Sequence, residues 1–133
     1  ENTMSLSLLR ATIRPDVTSD MGHHNFSYMI YPHENGAVEA GVNKLAFQFN
    51  EQLVKSDVSY NGDTFEPLYL QAMKDSEDGS MTVIRLSEQD GKRGKIKLSK
   101  SVKLLDMLEN VIGEAVDTLE YKPFEIITIG IQK

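Results

Sequence analysis

The sequence predicts a mainly β fold: β-sandwich-like antiparallel sheets carrying one amphipathic helix, at about residues 36–52. Three observations lead there. Short runs with a period of two, separated by turn-forming clusters, recur from Phe65 to the end of the chain. A single stretch, "HENGAVEAGVNKLAFQFNEQL", switches to a helical period. The 133 residues with 40% hydrophobic content suit one domain able to bury a core without staples.

Taken in order, residues 4–13 alternate Met4, Leu6 and Leu8 against Ser5 and Ser7, which predicts a strand. That strand begins almost at once, so the chain is expected to be a piece of something longer. "RPDVTSDMGHH" is rich in turn formers and predicts a loop. "NFSYMIY" sets Phe26, Tyr28 and Ile30 against Asn25, Ser27 and Met29 and predicts a second strand, able to pair with the first. Pro32 ends it. The helix follows, with Val38, Val42, Leu45 and Phe49 on one face, Glu39, Asn43 and Lys44 turned away, and Asn35 as N-cap. Gly41 inside it either lowers stability or permits close packing. Asn61-Gly62 signals a turn. Six strands are then predicted: Leu68–Met73, Met81–Leu86, Gly94–Leu98, Val102–Leu108, Ala115–Leu119 and Phe124–Ile131. The last places Ile127, Ile129 and Ile131 on one face and Phe124 and Ile126 on the other, the pattern of a central strand covered on both sides. The implied organisation is a strand pair with a polar loop (1–33), a helix (34–53) and a β-sandwich sheet (54–133).

Composition narrows the chemistry. The absence of cysteine removes disulfides, zinc fingers and thiol nucleophiles, and fits a reducing compartment, hence an expected cytoplasmic location. No run approaches a membrane span and no signal peptide opens the chain, so no membrane partner is expected. The net charge of -6 disfavours nucleic acid. The basic cluster Lys92, Arg93, Lys95, Lys97, Lys100 and Lys103 alternates with Ile96 and Leu98 and reads as a solvated hairpin face.

"DMGHHNFSYMIYPH" concentrates all three histidines. With Asp16 and Asp20, His23, His24 and His33 could ligate a divalent ion. Against that, adjacent His23 and His24 point to opposite sides of an extended segment. A metal site, a polar site facing substrate or an interface, and a structural loop all stay open here. The carboxylates Asp75, Glu77, Asp78, Asp106 and Glu109 sit in turns and near a strand end, where solvation is the ordinary role. No nucleophile motif or phosphate loop is present. Tyr28, Tyr31, Phe47 and Phe49 could stack on a sugar, but their places in patterned elements favour the core.

Read together, "SLSLLRATIRPD", "SDMGHHNFSYMIYPH", "EAGVNKLAFQFN", "EDGSMTVIRLSE" and "YKPFEIITIGIQK" resemble the C-terminal β region of a glycoside hydrolase family 38 α-mannosidase. The order and spacing of the five pieces carry the resemblance along essentially the whole chain. It implies a non-catalytic part of a retaining exo-α-mannosidase that hydrolyses terminal α-mannosides, a glycosidase of mannose metabolism. The fragment alone is then expected to be inactive, with no catalytic residue and no metal ligand or cofactor of its own. The parent's catalytic barrel, with a divalent metal, zinc by family habit, and the parent's helical bundle are the implied partners. Arg10, Asp20, Gly22 and His24 match recurrent family positions. Arg10, Asp20 and His24 are the candidates for the active-site rim, a guanidinium being suited to forked bonds with a carboxylate or sugar hydroxyls. An Arg10–Asp20 pair that only braces the loop is the competing expectation. The alternative function is an autonomous carbohydrate-binding module.

Overall fold

Residues 126–132, "IITIGIQ", alternate large β-branched side chains with small ones, and they form the middle of the sheet. In the computed structural model, which describes residues 2–51, 55 and 57–133, the elements in chain order are α1 (Val42–Asn50), β1 (Tyr69–Asp75), β2 (Met81–Ser87), β3 (Gly94–Leu105), β4 (Val116–Tyr121) and β5 (Ile126–Gln132). The strands make one five-stranded antiparallel sheet in the order β1-β2-β5-β3-β4. The fold is therefore mainly β with one short helix. By compactness the chain divides into two units, residues 1–33 and 34–133.

The ladder explains the core of the second unit. Ile84 faces Ile129 and Leu86 faces Ile127 across β2 and β5, while Leu104 faces Ile129 from β3. Directly opposed residues share a face, so these side chains stack into one layer. Leu68, Leu98, Val102, Leu119 and Tyr121 complete it, and Tyr60 and Phe65 pack on it from the segment before β1. Ile84, Leu86, Leu119 and Ile129 are fully buried. Each contributes roughly 1.5–3 kcal/mol of burial. On the opposite face Met81, Val83 and Leu105 form a smaller cluster. Gly130 keeps that face shallow: a Cβ there would lie 2.8 Å from the Met81 sulfur and 3.2 Å from Leu105 Cδ1.

Several expectations are corrected. The two strands expected at Gly94–Leu98 and Val102–Leu108 are one, β3, which ends at Leu105. Its register against β4 shifts between Lys97 and Val102. The polar "SKS" in the middle does not break the strand, because Asp63 Oδ2 accepts both the Ser99 amide and the Ser99 hydroxyl at 2.9 Å. β5 is central as expected, but it begins at Ile126 rather than Phe124, and both residues are exposed, at 53% and 73%, so the side they were expected to cover is open at the start of the strand.

The helix is shorter than expected, and its predicted end at residue 52 lies outside the described residues. Residues 36–40 form a separate turn. Val42 N–H bonds Ala37 O at 2.9 Å and Gly41 N–H bonds Val38 O at 3.1 Å, the paired bonds of a Schellman stop. Gly41, at φ 67, closes that turn and serves as N-cap of α1, in place of Asn35. A left-handed residue suits glycine, which lacks the Cβ that resists it. Asn43 is not turned away, since its amide reaches Gln89 O at 2.8 Å and Asp90 Oδ1 at 3.0 Å. Phe49 is 43% exposed, so the end of the expected apolar face is only partly covered.

In the first unit the expected strand pair does not form: among the described residues, 4–13 and 25–31 carry no ladder. Their alternating residues Met4, Leu6, Leu8, Phe26, Tyr28 and Ile30 are all exposed. Alternation marks which side of a strand could be buried and does not by itself supply the ladder that makes a strand.

Candidate functional site

The loop between the two extended runs is held by its own polar groups. Asp16 Oδ1 accepts the Thr18 amide at 2.8 Å and the Thr18 hydroxyl at 2.7 Å, an aspartate turn. Those two bonds, the amide first, lower the Asp16 pKa from its ordinary value. Met21 N–H then closes on Thr18 O at 3.0 Å. Asp20 Oδ2 accepts the Thr12 amide at 3.3 Å, and Thr12 and Ser19 share a hydroxyl bond at 3.2 Å. His24 Nε2 lies 3.0 Å from the Asp20 carbonyl oxygen, and its ring stacks on Phe26 with centroids 6.1 Å apart.

Two of the three rim candidates thus come together, Asp20 with His24, through the Asp20 backbone rather than its carboxylate. Arg10 stands outside this arrangement. Among the described residues it forms no ion pair with Asp20, and the brace across the loop is Thr12–Asp20 instead. Arg10 is exposed and outside any helix or strand, with Ala11 after it at φ 47. His33 lies against Tyr31, with ring centroids 5.8 Å apart. Among the described residues no group of three His, Asp or Glu side chains is placed to hold a metal ion, so Asp16, Asp20, His23, His24 and His33 do not fit a divalent ion as they stand. The loop offers exposed hydrogen-bonding groups to a neighbour.

Three features of the second unit escaped the sequence reading. The first is a pocket of about 390 Å³ between α1 and the start of β1, with Lys44, Phe47, Glu66, Tyr69 and Asp90 in its lining. Phe47 meets the Tyr69 ring edge-on at 5.4 Å, and Lys44 Nζ pairs with Glu66 at 3.0 Å. Burial, and then the negative charge of Asp90, push the Tyr69 phenol up.

The second is Glu88. Its side chain is buried and its carboxylate accepts four backbone amides: Asp90 at 2.9 Å and Lys92 at 3.0 Å on Oε1, Gly91 and Phe124 at 2.9 Å on Oε2. It thereby ties the β2–β3 turn to the β4–β5 turn. The same tie accounts for "KPFE". Glu125 Oε2 caps the Lys122 amide at 2.8 Å, and Phe124 sits at φ 59 with its amide on Glu88.

The third is the pairing of Glu109, one of the carboxylates expected above to be merely solvated, which sits at φ 70 in the loop after β3. It takes Lys74 Nζ at 2.7 Å and lies 3.9 Å from Arg85 Nη2. No spacing rule would have picked out Glu88 or Glu109, because their partners come from distant segments. The basic cluster behaves as a hairpin face, with Lys95 paired to Glu120 and Lys97 to Asp117 across the β3–β4 ladder.

Residues 67–129 match the model of the glycosyl hydrolases family 38 C-terminal beta sandwich domain. Along 94% of its length the chain is 30% identical to Alpha-mannosidase G of Dictyostelium discoideum, covering 14% of that protein. Along 96% it is 31% identical to Alpha-mannosidase of Saccharomyces cerevisiae, covering 13%. A shorter match, 49% identical over 40% of the chain, is to Alpha-mannosidase 2C1 of Mus musculus and covers 5% of it. The chain therefore spans only about one seventh of the length of the first two relatives. No solved structure matches it significantly.

Proposed function

The chain belongs to the C-terminal β region of glycoside hydrolase family 38 α-mannosidases, and on that premise we propose that it is a non-catalytic region of a longer retaining exo-α-mannosidase that removes terminal α-mannosyl residues. In this reading it supports the catalytic barrel and helical bundle of the parent and works in the cytoplasm. The single observation that carries the proposal is the match of nearly the whole chain to a short share of proteins named as α-mannosidases.

Among the described carboxylates, Asp16, Asp78, Asp106 and Glu88 are committed to turns, and Glu66, Glu109, Asp117 and Glu120 to ion pairs. The parent's divalent ion, zinc in this reading, would be held by residues outside this chain. Arg10, with Asp20 and His24 in the adjoining loop, would line the rim of the parent's site. The exposed guanidinium offers forked donors to sugar hydroxyls, and the Thr12–Asp20–His24 bonds set the loop's shape.

The test is hydrolysis of an aryl α-mannoside. The 133-residue chain is expected to show no turnover with or without added zinc, and the longer parent to show it. Turnover by the purified chain overturns the non-catalytic assignment. In the parent, Arg10→Ala should raise KM or lower kcat; unchanged values remove Arg10 from the rim.

The pocket with Phe47 and Tyr69 favours a second reading, an autonomous carbohydrate-binding module, since aromatic faces with nearby carboxylates suit a sugar. Calorimetry with mannose oligosaccharides separates the two readings. Binding by the isolated chain that is lost in Tyr69→Ala would establish the second.

A further inference from the structure

We propose that the loop Asp106–Ile112 is a preformed docking knuckle, seating this β domain on an apolar surface elsewhere in the same longer polypeptide. The proposal rests on the family reading above and adds the surface that makes the contact.

The loop is built inside out for a solvated turn. Its polar groups face inward and bond one another. Asp106 Oδ1 accepts the Leu108 amide at 2.8 Å and the Asn110 amide at 2.9 Å, and Asp106 Oδ2 takes the Asn110 side-chain amide at 3.0 Å. Asp106 N–H bonds Asn110 O at 2.9 Å, and Ile112 N–H bonds Leu104 O at 2.8 Å. Its apolar groups face outward: Leu108 is 84% exposed, and Met107, Val111 and Ile112 are each about half exposed. The turn between β1 and β2, "SEDGS", shows what the same sheet does where only a connection is required. There Ser76, Asp78 and Ser80 bond one another and no large apolar side chain is presented.

The loop is also anchored. Glu109 holds a left-handed conformation that a non-glycine residue adopts only at some cost, and its carboxylate meets Lys74 from β1 and Arg85 from β2. Arg85 reaches further, donating to Met107 O at 3.3 Å and to Thr128 Oγ1 at 3.2 Å. The apolar tip is thereby fixed to two strands of the sheet before any partner arrives. A preorganised surface loses less conformational freedom on contact than a loose one. Four exposed large apolar side chains within six residues of one anchored loop point to an interaction surface.

The occupant follows from length. In the relatives, about six sevenths of the polypeptide lies outside the matched part. The proposal assigns the covering surface to that remainder, not to a second copy of this chain.

Hydrogen exchange tests this without a substitution. The amides of residues 107–112 should exchange at least about tenfold more slowly in the longer parent than in the 133-residue chain. Leu108→Ser should abolish that difference in the parent and leave the thermal midpoint of the 133-residue chain unchanged. Equal exchange in chain and parent overturns the proposal. So does light scattering that shows the isolated chain pairing with itself and the variant staying monomeric, because the occupant is then a second copy. Hydrolysis of an aryl α-mannoside by the unsubstituted parent is scored separately. Its absence defeats the family-based function while the exchange result still decides the docking surface.

Discussion

Replacing Glu88 with glutamine tests how much of the sheet's stability rests on one carboxylate. The side chain is nearly isosteric, so packing is preserved and only the acceptors change. In the native protein two oxygens serve four amides at 2.9–3.0 Å. Glutamine keeps one oxygen and turns an NH₂ group toward the other two amides. Two donors then lose their acceptor, at about 1–3 kcal/mol each when buried. Asp90, Gly91 and Lys92 lie in a surface turn that water can reach, which favours the lower part of the range, about 2–4 kcal/mol in total. For a folding unit of about 100 residues, 1 kcal/mol shifts the thermal midpoint by about 4 °C or more, so a drop of about 8–16 °C is expected by circular dichroism at pH 7. The pH dependence gives an independent check. Burial pushes the Glu88 carboxyl up, but the amides of Phe124, Lys92, Asp90 and Gly91 together pull it below its ordinary value of 4.5. A group with a depressed folded pKa stabilises fully above its unfolded value and loses that contribution as pH falls through the folded one. The gap between native protein and variant should therefore be constant near neutrality and narrow only below about pH 4.5. A midpoint shift under 2 °C, or a gap that widens on acidification, would refute the reasoning.

Three further outcomes are expected. Ile84→Ala, at a fully buried position facing Ile129, should cost about 3–4 kcal/mol in urea unfolding; a loss under about 1.5 kcal/mol would mean that the layer collapses around the gap. Gly41→Ala meets no neighbouring atom, so its cost is the left-handed backbone alone, about 1–2 kcal/mol, and a gain in stability would show that this residue relaxes to ordinary helix. Asp78, bonded by the Ser76 hydroxyl and by the Ser80 amide and hydroxyl, should titrate at about 2 by carboxyl NMR shifts, and a midpoint at its ordinary 3.8 would remove that turn's hydrogen bonds.

What the sequence disclosed depends on whether the signal was local. The sheet region was legible, because each of its strands carries its own period and its own flanking turn. The centrality of β5 was expected from apolar residues on both of its faces; Ile127 and Ile129 are buried as that requires, whereas Phe124 and Ile126 are exposed. The continuity of β3 was not legible, since the residue that holds the middle of the strand, Asp63, lies 36 positions from Ser99. The early helix stop was half legible. Gly41 was visible, but its left-handed state depends on the bonds to Ala37 and Val38. The runs at 4–13 and 25–31 have the period of strands and no ladder, because periodicity reports a face and not a partner. For the candidate rim, sequence located Asp20 and His24 in one loop and could not show that they meet through the Asp20 carbonyl, or that Thr12 replaces Arg10 as the partner of the Asp20 carboxylate.

The strand order has a consequence for biosynthesis. β2 and β3 are made one after the other, yet they are not neighbours. The strand between them, β5, is made last, some forty residues after β2. Until residues 126–132 have left the ribosome, the strand pairs available to the nascent chain are β1–β2 and β3–β4 alone, each with an open edge where β5 will pair. Closure of the sheet is then a late event, and a ribosome stalled short of Ile126 would display two edges ready to pair with whatever strand comes first.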